Sequence, residues 1–358
     1  MASRILEWME ASTPSPAVSP QKKKLVRRVQ RDRSQAIRRG VQYSFLFLNL
    51  WIGFQFYGFV RYCESAGATR KFSRPAGVEG WLPIASLMNL KFFLVTGHFP
   101  QALCAGMLLL SAFLAISFLL RKAFCSWLCP VGTLSEILWK LSKKLTGRTW
   151  QLPRWLDLPL RALKYLVMAF FLFAVGTMSA GAIEQFLSGP YGAVADVQML
   201  NFFRHLSGTA AVVLILLAML SVFIQNFWCR YLCPYGALMG IAALISPARI
   251  ERSSEPCIDC GKCSKVCPSL LPVDQLVTIR SAECTACMEC VAICPAEGAL
   301  AFTLPRKRTI APWAVAAAIA FFFLGTVVYA RLSGHWNPSI PEQTYMEMVR
   351  HSDLAIHP

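Results

Sequence analysis

Long uncharged apolar runs alternate along the chain with short polar segments that are mostly basic. Five windows of about 20 residues carry no charged side chain: Val41–Val60, Gln101–Leu120, Tyr165–Ile183, Leu206–Trp228 and Thr309–Ala330. A helix needs roughly 20 apolar residues to cross about 30 Å of hydrocarbon. In lipid, a helix is the single-segment structure that satisfies its own backbone. The pattern therefore predicts five transmembrane helices. Two shorter apolar stretches fall below that length. Trp81–Gly97, interrupted by Pro83 and Lys91, predicts an interfacial or re-entrant helix, and Pro234–Ala248 predicts a short helix beside the membrane.

Composition agrees with the pattern. Of 358 residues, 55% are hydrophobic and 15% charged, against about 25% charged in soluble domains. A soluble enzyme, a disordered tail and a nucleic-acid-binding domain are poor fits. The formal charge is +17, and the positions of its cations decide what it means. Lys and Arg number ten in 1–40, nine in 121–164 and nine in 229–308, but five in 61–100, one in 184–205 and two in 331–358. Positive charge accumulates on the cytoplasmic side of membrane proteins. The count of 28 against 8 places the N-terminus and residues 229–308 in the cytoplasm of a bacterial inner membrane, with the C-terminal tail in the periplasm. Lys22–Lys24 and Arg27–Arg39 then read as a topological anchor rather than a lipid or partner site.

The chain also repeats itself. Phe124–Leu134 reads FCSWLCPVGTL and Trp228–Leu238 reads WCRYLCPYGAL, at an offset of 104 residues. Each copy follows a span running outside to inside. Two parallel repeats related by an axis along the membrane normal would bring their cysteine pairs face to face.

Fourteen cysteines are present, and twelve fall in four tight clusters. Cys257, Cys260, Cys263 and Cys267 follow C-x2-C-x2-C-x3-C, with Pro268 next. Cys284, Cys287, Cys290 and Cys294 repeat it, with Pro295 next. In this bacterial ferredoxin run three cysteines hold one [4Fe–4S] cube and the fourth ligates the other. The expected ligand sets are Cys257, Cys260, Cys263 and Cys294 for cluster one, and Cys284, Cys287, Cys290 and Cys267 for cluster two. Two structural zinc sites are the competing use of eight thiols.

The remaining pairs, Cys125/Cys129 and Cys229/Cys233, lie at the cytoplasmic ends of the second and fourth spans. Spacing of i and i+4 puts both thiols of a pair on one helix face. Four thiols across a repeat axis suit a shared metal or a third cluster, a dithiol/disulfide relay, a contact surface for the ferredoxin segment or a quinone, or plain packing. His98 and His205, one per repeat at the outer side, read as haem or quinone partners or as interfacial histidines. Cys63 and Cys104 near the outer face could pair or stay free.

The two CxxxCP motifs followed by two ferredoxin runs resemble the NapH/NosR/CcoG-type bacterial membrane ferredoxins over roughly 41–303. The resemblance implies a polytopic inner-membrane protein with two cytoplasmic [4Fe–4S] clusters. NapH- and NosR-like members are implicated in passing electrons from quinol towards periplasmic reductases, and the CcoG branch in copper reduction. No flavin domain of the NosR-like kind is expected before the spans, and no β-domain of the CcoG type after them. A fifth span and an outside tail stand instead.

The expected fold is an all-α polytopic membrane protein of about five spans in two parallel repeats, with an inserted 2[4Fe–4S] ferredoxin-like α+β domain. Its expected parts are a basic segment 1–40, repeat one at 41–145, repeat two at 146–250, the ferredoxin domain at 251–303, a fifth helix at 304–332 and a periplasmic tail at 333–358. The expected function is electron relay between a quinone pool or cytoplasmic donor and a respiratory or periplasmic redox partner. A quinol-dehydrogenase component, a copper-reducing maturation factor and a zinc-held scaffold are the alternatives.

Overall fold

The computed structural model describes residues 26–28, 32–147 and 150–351. Helix α1 (Ser34–Glu64) contains the first predicted span. A 3-10 turn (Ala76–Trp81) leads into α2 (Pro83–Thr96), the expected interfacial helix. The first repeat is α3 (Cys104–Leu119), α4 (Ala123–Trp127) and α5 (Pro130–Thr146). After α6 (Arg154–Thr177) come three short helices, α7 (Ala180–Ser188), α8 (Pro190–Ala193) and α9 (Ala195–Arg204). The second repeat is α10 (Gly208–Phe223), a π turn (Trp228–Leu232) and α11 (Pro234–Leu244). The cysteine-rich segment holds β1 (Arg249–Arg252), α12 (Lys262–Lys265), β2 (Thr278–Ile279), α13 (Glu289–Ile293), β3 (Leu300–Leu304) and β4 (Arg308–Thr309). Helices α14 (Pro312–Leu332) and α15 (Glu342–Arg350) close the described chain.

All five predicted windows are largely helical, but they are not equal. Among the described residues, three helices are long and apolar enough to span a membrane: Ser34–Glu64, Trp155–Thr177 and Pro312–Leu332. A fourth arises if α9 and α10, bent by 85° at a short break, count as one span. The window Gln101–Leu120 yields only the 16-residue α3, about 24 Å long at 1.5 Å per residue. Leu103 and Arg121 bound it with left-handed φ of 56° and 59°, a conformation that stops a right-handed helix. It is apolar all round because α2, α11 and α14 pack against it.

The outer faces of the long helices are apolar and exposed, with Phe47, Trp51 and Phe54 on α1, Phe170 and Phe173 on α6, and Phe321 and Val328 on α14. Such continuous apolar surface belongs in lipid, so this is a membrane protein. The two repeats embrace each other. Helix α3 of the first packs on α11 of the second, and α10 packs on α5.

The four strands form one antiparallel sheet in the order β2-β1-β3-β4, with Ile250 opposite both Ile279 and Phe302. Those three side chains are buried in the same apolar core as Phe113, Phe124, Trp127 and Met239. The sheet is thus packed onto the membrane helices.

Charges form two layers. Arg74 with Glu79 and Asp196, Lys71 with Glu342, and Arg204 with Glu64 join the segments expected outside. Arg38 with Glu136 and Glu289, Lys164 with Glu283, and Arg230 with Asp157 join those expected inside. Cys63 and Cys104 are buried and unpaired by disulfide.

Arg38 is the main clamp between α1, α5 and the cysteine-rich segment. Its guanidinium is 1% exposed and donates to Glu136 at 2.7 Å and to Glu289 at 2.9 Å. Burial pushes the Glu136 carboxyl up, but Arg38, with help from Lys140, outweighs it and holds the group down at about 2. That stability is present above the unfolded carboxyl value of about 4.3 and is lost as pH falls towards 2. Removing one partner of a buried pair strands the other's charge. Arg38→Ala is expected to lower stability by about 3–5 kcal/mol, read as thermal unfolding in detergent. The difference from wild type should shrink as pH is lowered from about 4.5 towards 2, where Glu136 becomes neutral.

Candidate metal centre

The sequence places each membrane thiol pair on one helix face. The structure corrects that. Proline cannot continue a helix, and it drives the residue before it out of the α region. Cys129 and Cys233 accordingly have extended backbones, with ψ of 117° and 105°, and Pro130 and Pro234 start new helices. Each pair straddles a helix break. Cys125 sits on α4 and Cys229 in the π turn, while Cys129 and Cys233 cap α5 and α11.

A cap must satisfy free amide N–H groups of the first turn. Here sulfur does so. The Gly132 N–H donates to Cys129 Sγ at 3.5 Å, and the Gly236 N–H donates to Cys233 Sγ at 3.2 Å. The repeated C-P-x-G therefore has a local reason: sulfur cap, helix-starting proline, and a glycine beside the sulfur. At Gly132 a Cβ would lie 2.3 Å from the Cys125 carbonyl oxygen.

All four thiols line one cavity of about 70 Å³ between the repeats, shared with Lys122, Glu283 and Cys287. The repeat thus brings Cys125, Cys129, Cys229 and Cys233 together as expected from its symmetry. Among the described residues, no three cysteine, histidine or acidic side chains converge closely enough to hold a single metal ion.

The cysteine-rich runs share a backbone pattern. Asp259 and Gly261 in the first run, and Ala286 and Met288 in the second, take left-handed φ of 53°, 65°, 50° and 57°. They stand two and four residues after the first cysteine of each run. Left-handed residues placed between right-handed ones gather successive N–H groups into an anion-binding concavity. Three of the four carry side chains, which costs roughly 1–2 kcal/mol each.

The thiols fall into two neighbourhoods. Cys294 and Cys263 interact electrostatically with Cys257, and Cys294 also with Cys260. Cys267 interacts with Cys284, and Cys290 with Cys287, Cys284 and Cys267 and, more weakly, with Cys263 of the first neighbourhood. The first neighbourhood is open, with Cys260 exposed and Cys257 and Cys294 half-buried; in the second all four thiols are buried. Burial pushes Cys267 up to about 11 and raises Cys287 further. Thiols of this kind are protonated when empty and shed protons on ligating metal.

The second neighbourhood rests on the membrane repeats. Ser126 Oγ donates to the Thr285 carbonyl at 2.5 Å, and Trp127 Nε1 to that of Ala286 at 3.2 Å. From the other repeat, Gln225 donates to the Cys267 carbonyl at 3.1 Å and Arg230 to that of Ser269 at 2.8 Å. Gln35, just before the first span, donates to the Cys287 carbonyl at 2.9 Å. Sequence reasoning missed these residues. Ser126, Trp127 and Arg230 lie within the CxxxCP motifs and Gln225 just before the second, whereas Gln35 carries no such sign.

A second, larger cavity of about 1210 Å³ runs between α1, α3 and α14. Phe45, Phe113, Phe124 and Phe323 line it. Cys129 and Cys233 border it, as do Lys71, Arg74 and Glu342 of the outer layer. His98 and His205 border neither cavity.

Comparison with known proteins follows the same division. A family model described as a 4Fe-4S binding domain matches residues 103–149 and again 206–252. One described as a 4Fe-4S dicluster domain matches 249–295. The chain is 47% identical over 326 residues to the putative electron transport protein YccM of Escherichia coli, covering 89% of this chain and 91% of that one. It is 31% identical over 194 residues to the methylamine utilization ferredoxin-type protein MauN of Methylorubrum extorquens, covering 53% and 62%. It is 24% identical over 224 residues to the ferredoxin-type protein NapH of Escherichia coli, covering 59% and 71%. No solved structure matches.

The two motif glycines make a paired test. A methyl on Gly236 would meet its nearest atoms, Cys233 Sγ and Lys122 Nζ, at 3.6 Å, which is ordinary contact. Gly132→Ala is expected to cost about 1–3 kcal/mol through backbone displacement, whereas Gly236→Ala should be near neutral. Unfolding midpoints of the two variants in detergent check this.

Proposed function

The chain belongs to the NapH/NosR-type family of membrane ferredoxins, and from that premise we propose how its iron–sulfur clusters are held and wired. It is an iron–sulfur electron-transfer protein of the membrane. Two [4Fe–4S] clusters occupy the cysteine-rich segment. Cys257, Cys260, Cys263 and Cys294 hold the first, and Cys284, Cys287, Cys290 and Cys267 the second. The electrostatic neighbourhoods of Cys294 and Cys267 support this crossing of ligands between runs, and the matched left-handed residues of the two runs support a common anion-binding role.

The observation that carries the reading is the asymmetry of the two neighbourhoods. One is open to solution, and the other is buried against both membrane repeats. Electrons would pass between a soluble partner at cluster one and the membrane at cluster two. The N-terminus and cysteine-rich segment face the cytoplasm of a bacterial inner membrane, and α15 faces the periplasm, where a second redox partner meets it. The Lys and Arg count and the separation of ion pairs into two layers support that orientation. The large aromatic-lined cavity suits a prenylated quinone, whose tail is lipid-like and whose ring would exchange electrons near Cys129 and Cys233.

Ligand-by-ligand iron analysis tests the assignment. Substituting Cys257 and Cys294 together by Ser, or Cys267 and Cys284 together, should each remove about four irons and four acid-labile sulfides from the anaerobically purified protein. Joint loss would be expected instead if Cys294 belonged with its own run. Zinc with no sulfide would reject the iron–sulfur reading. Filling the large cavity by Val327→Trp, at a residue that lines it and not the thiol cavity, should slow reduction of the clusters by a quinol analogue at least several-fold, with iron content unchanged; an unchanged rate would remove the quinone from the account.

A further inference from the structure

The four membrane thiols are not used by the two ferredoxin clusters, yet the fold gathers them in one closed place. They line a single cavity, two from each repeat. Its volume of about 70 Å³ exceeds several times the 10–15 Å³ needed for one water.

The charges around it are unbalanced. Lys122 and Lys164 are buried, with side chains 4% and 0% exposed. They share one carboxylate, Glu283, at 3.7 Å from Lys122 and 2.6 Å from Lys164. Of the other charged groups lining the cavity, Arg230 meets Asp157 at 3.0 Å and Glu136 meets Arg38 at 2.7 Å. One positive charge is left over, and Lys122 interacts electrostatically with Cys125 and Cys233. A buried cation without a counter-charge is expensive. Two helix N-termini, those of α5 and α11, add their positive ends at Cys129 and Cys233. The lysines and the helix ends around the thiols favour an anionic group.

We infer that Cys125, Cys129, Cys229 and Cys233 together hold a third [4Fe–4S] cluster, shared between the two repeats and balanced by Lys122 and Lys164. A cube with four thiolates is anionic, so it supplies the charge that the lysines lack. The site also has neighbours on both sides. Cys287, a proposed ligand of cluster two, lines the same cavity, and Cys129 and Cys233 border the large aromatic cavity. The inference rests on the iron–sulfur reading above and extends it from the soluble side into the membrane. The placement makes the third cluster the link between cluster two and whatever fills the large cavity.

Iron analysis and Mössbauer spectroscopy of ⁵⁷Fe-grown, anaerobically purified full-length protein test it. Wild type should carry about twelve irons, and a variant with all four membrane cysteines changed to Ser about eight. About eight in both, with the same Mössbauer areas, would overturn the third cluster while leaving the two ferredoxin clusters standing. Copper bound to wild type but not to the variant, or a dithiol that oxidises reversibly with eight irons present, would overturn it in the same way. Iron-free wild type would reject this inference and the reading beneath it together.

Should the fourfold variant fail to fold, Lys122→Gln keeps every cysteine. Removing a cation beside an anionic centre should move one of three redox transitions to lower potential and leave the other two in place. Only two transitions, or no selective shift, would contradict the inference.

Discussion

The Cys–Pro step is the constraint on which the site depends. A proline ring cannot sit inside a helix, and it keeps the residue before it extended. Pro130 and Pro234 therefore break the chain at matching places in the two repeats. Each break leaves unpaired amides, and the preceding cysteine sulfur takes one of them. Placed this way, the sulfurs point into the space between the repeats instead of along a helix. At Gly132 the missing Cβ lets the new turn lie against the Cys125 carbonyl oxygen.

Charge then decides what docks on that platform. The cysteine-rich segment brings Glu283 and Glu289 to the membrane side, where Lys164, Lys140 and Arg38 meet them. Burial pushes the Glu283 carboxyl up, but Lys122 and Lys164 overcome it and hold the group down at about 2. Separate hydrogen bonds from Gln225, Ser126 and Gln35 hold Cys267, Thr285 and Cys287 against the membrane helices through their backbone carbonyls. A continuous apolar core from Phe113 to Ile250 completes the attachment. Rigid fixation matters for electron transfer because it sets a constant separation between carriers without any moving part.

Much of this was legible in the sequence, for definable reasons. Apolar windows mark helices because lipid leaves no alternative. The repeat is visible because FCSWLCPVG and WCRYLCPYG preserve side chains needed at each helix break. The ferredoxin runs are visible because cluster ligation fixes cysteine spacing. The i, i+4 spacing of each CxxxC pair suggests one continuous helix face, but Pro130 and Pro234 overrule it and break the helix within each pair. The length of α3 was also misjudged, since left-handed turns at Leu103 and Arg121 carry no sequence mark. Arg38, Lys122, Lys164 and Glu283 were invisible in their roles, because their partners lie about 100 or more residues away and only the tertiary fold joins them.

Low-temperature EPR of the anaerobically purified protein, as isolated and after dithionite reduction, decides whether this membrane protein carries electrons on iron–sulfur clusters. The protein is expected to gain the signals of reduced [4Fe–4S] clusters and to lose them again on reoxidation, through repeated cycles. A protein that stays EPR-silent in both states while carrying zinc would contradict that expectation.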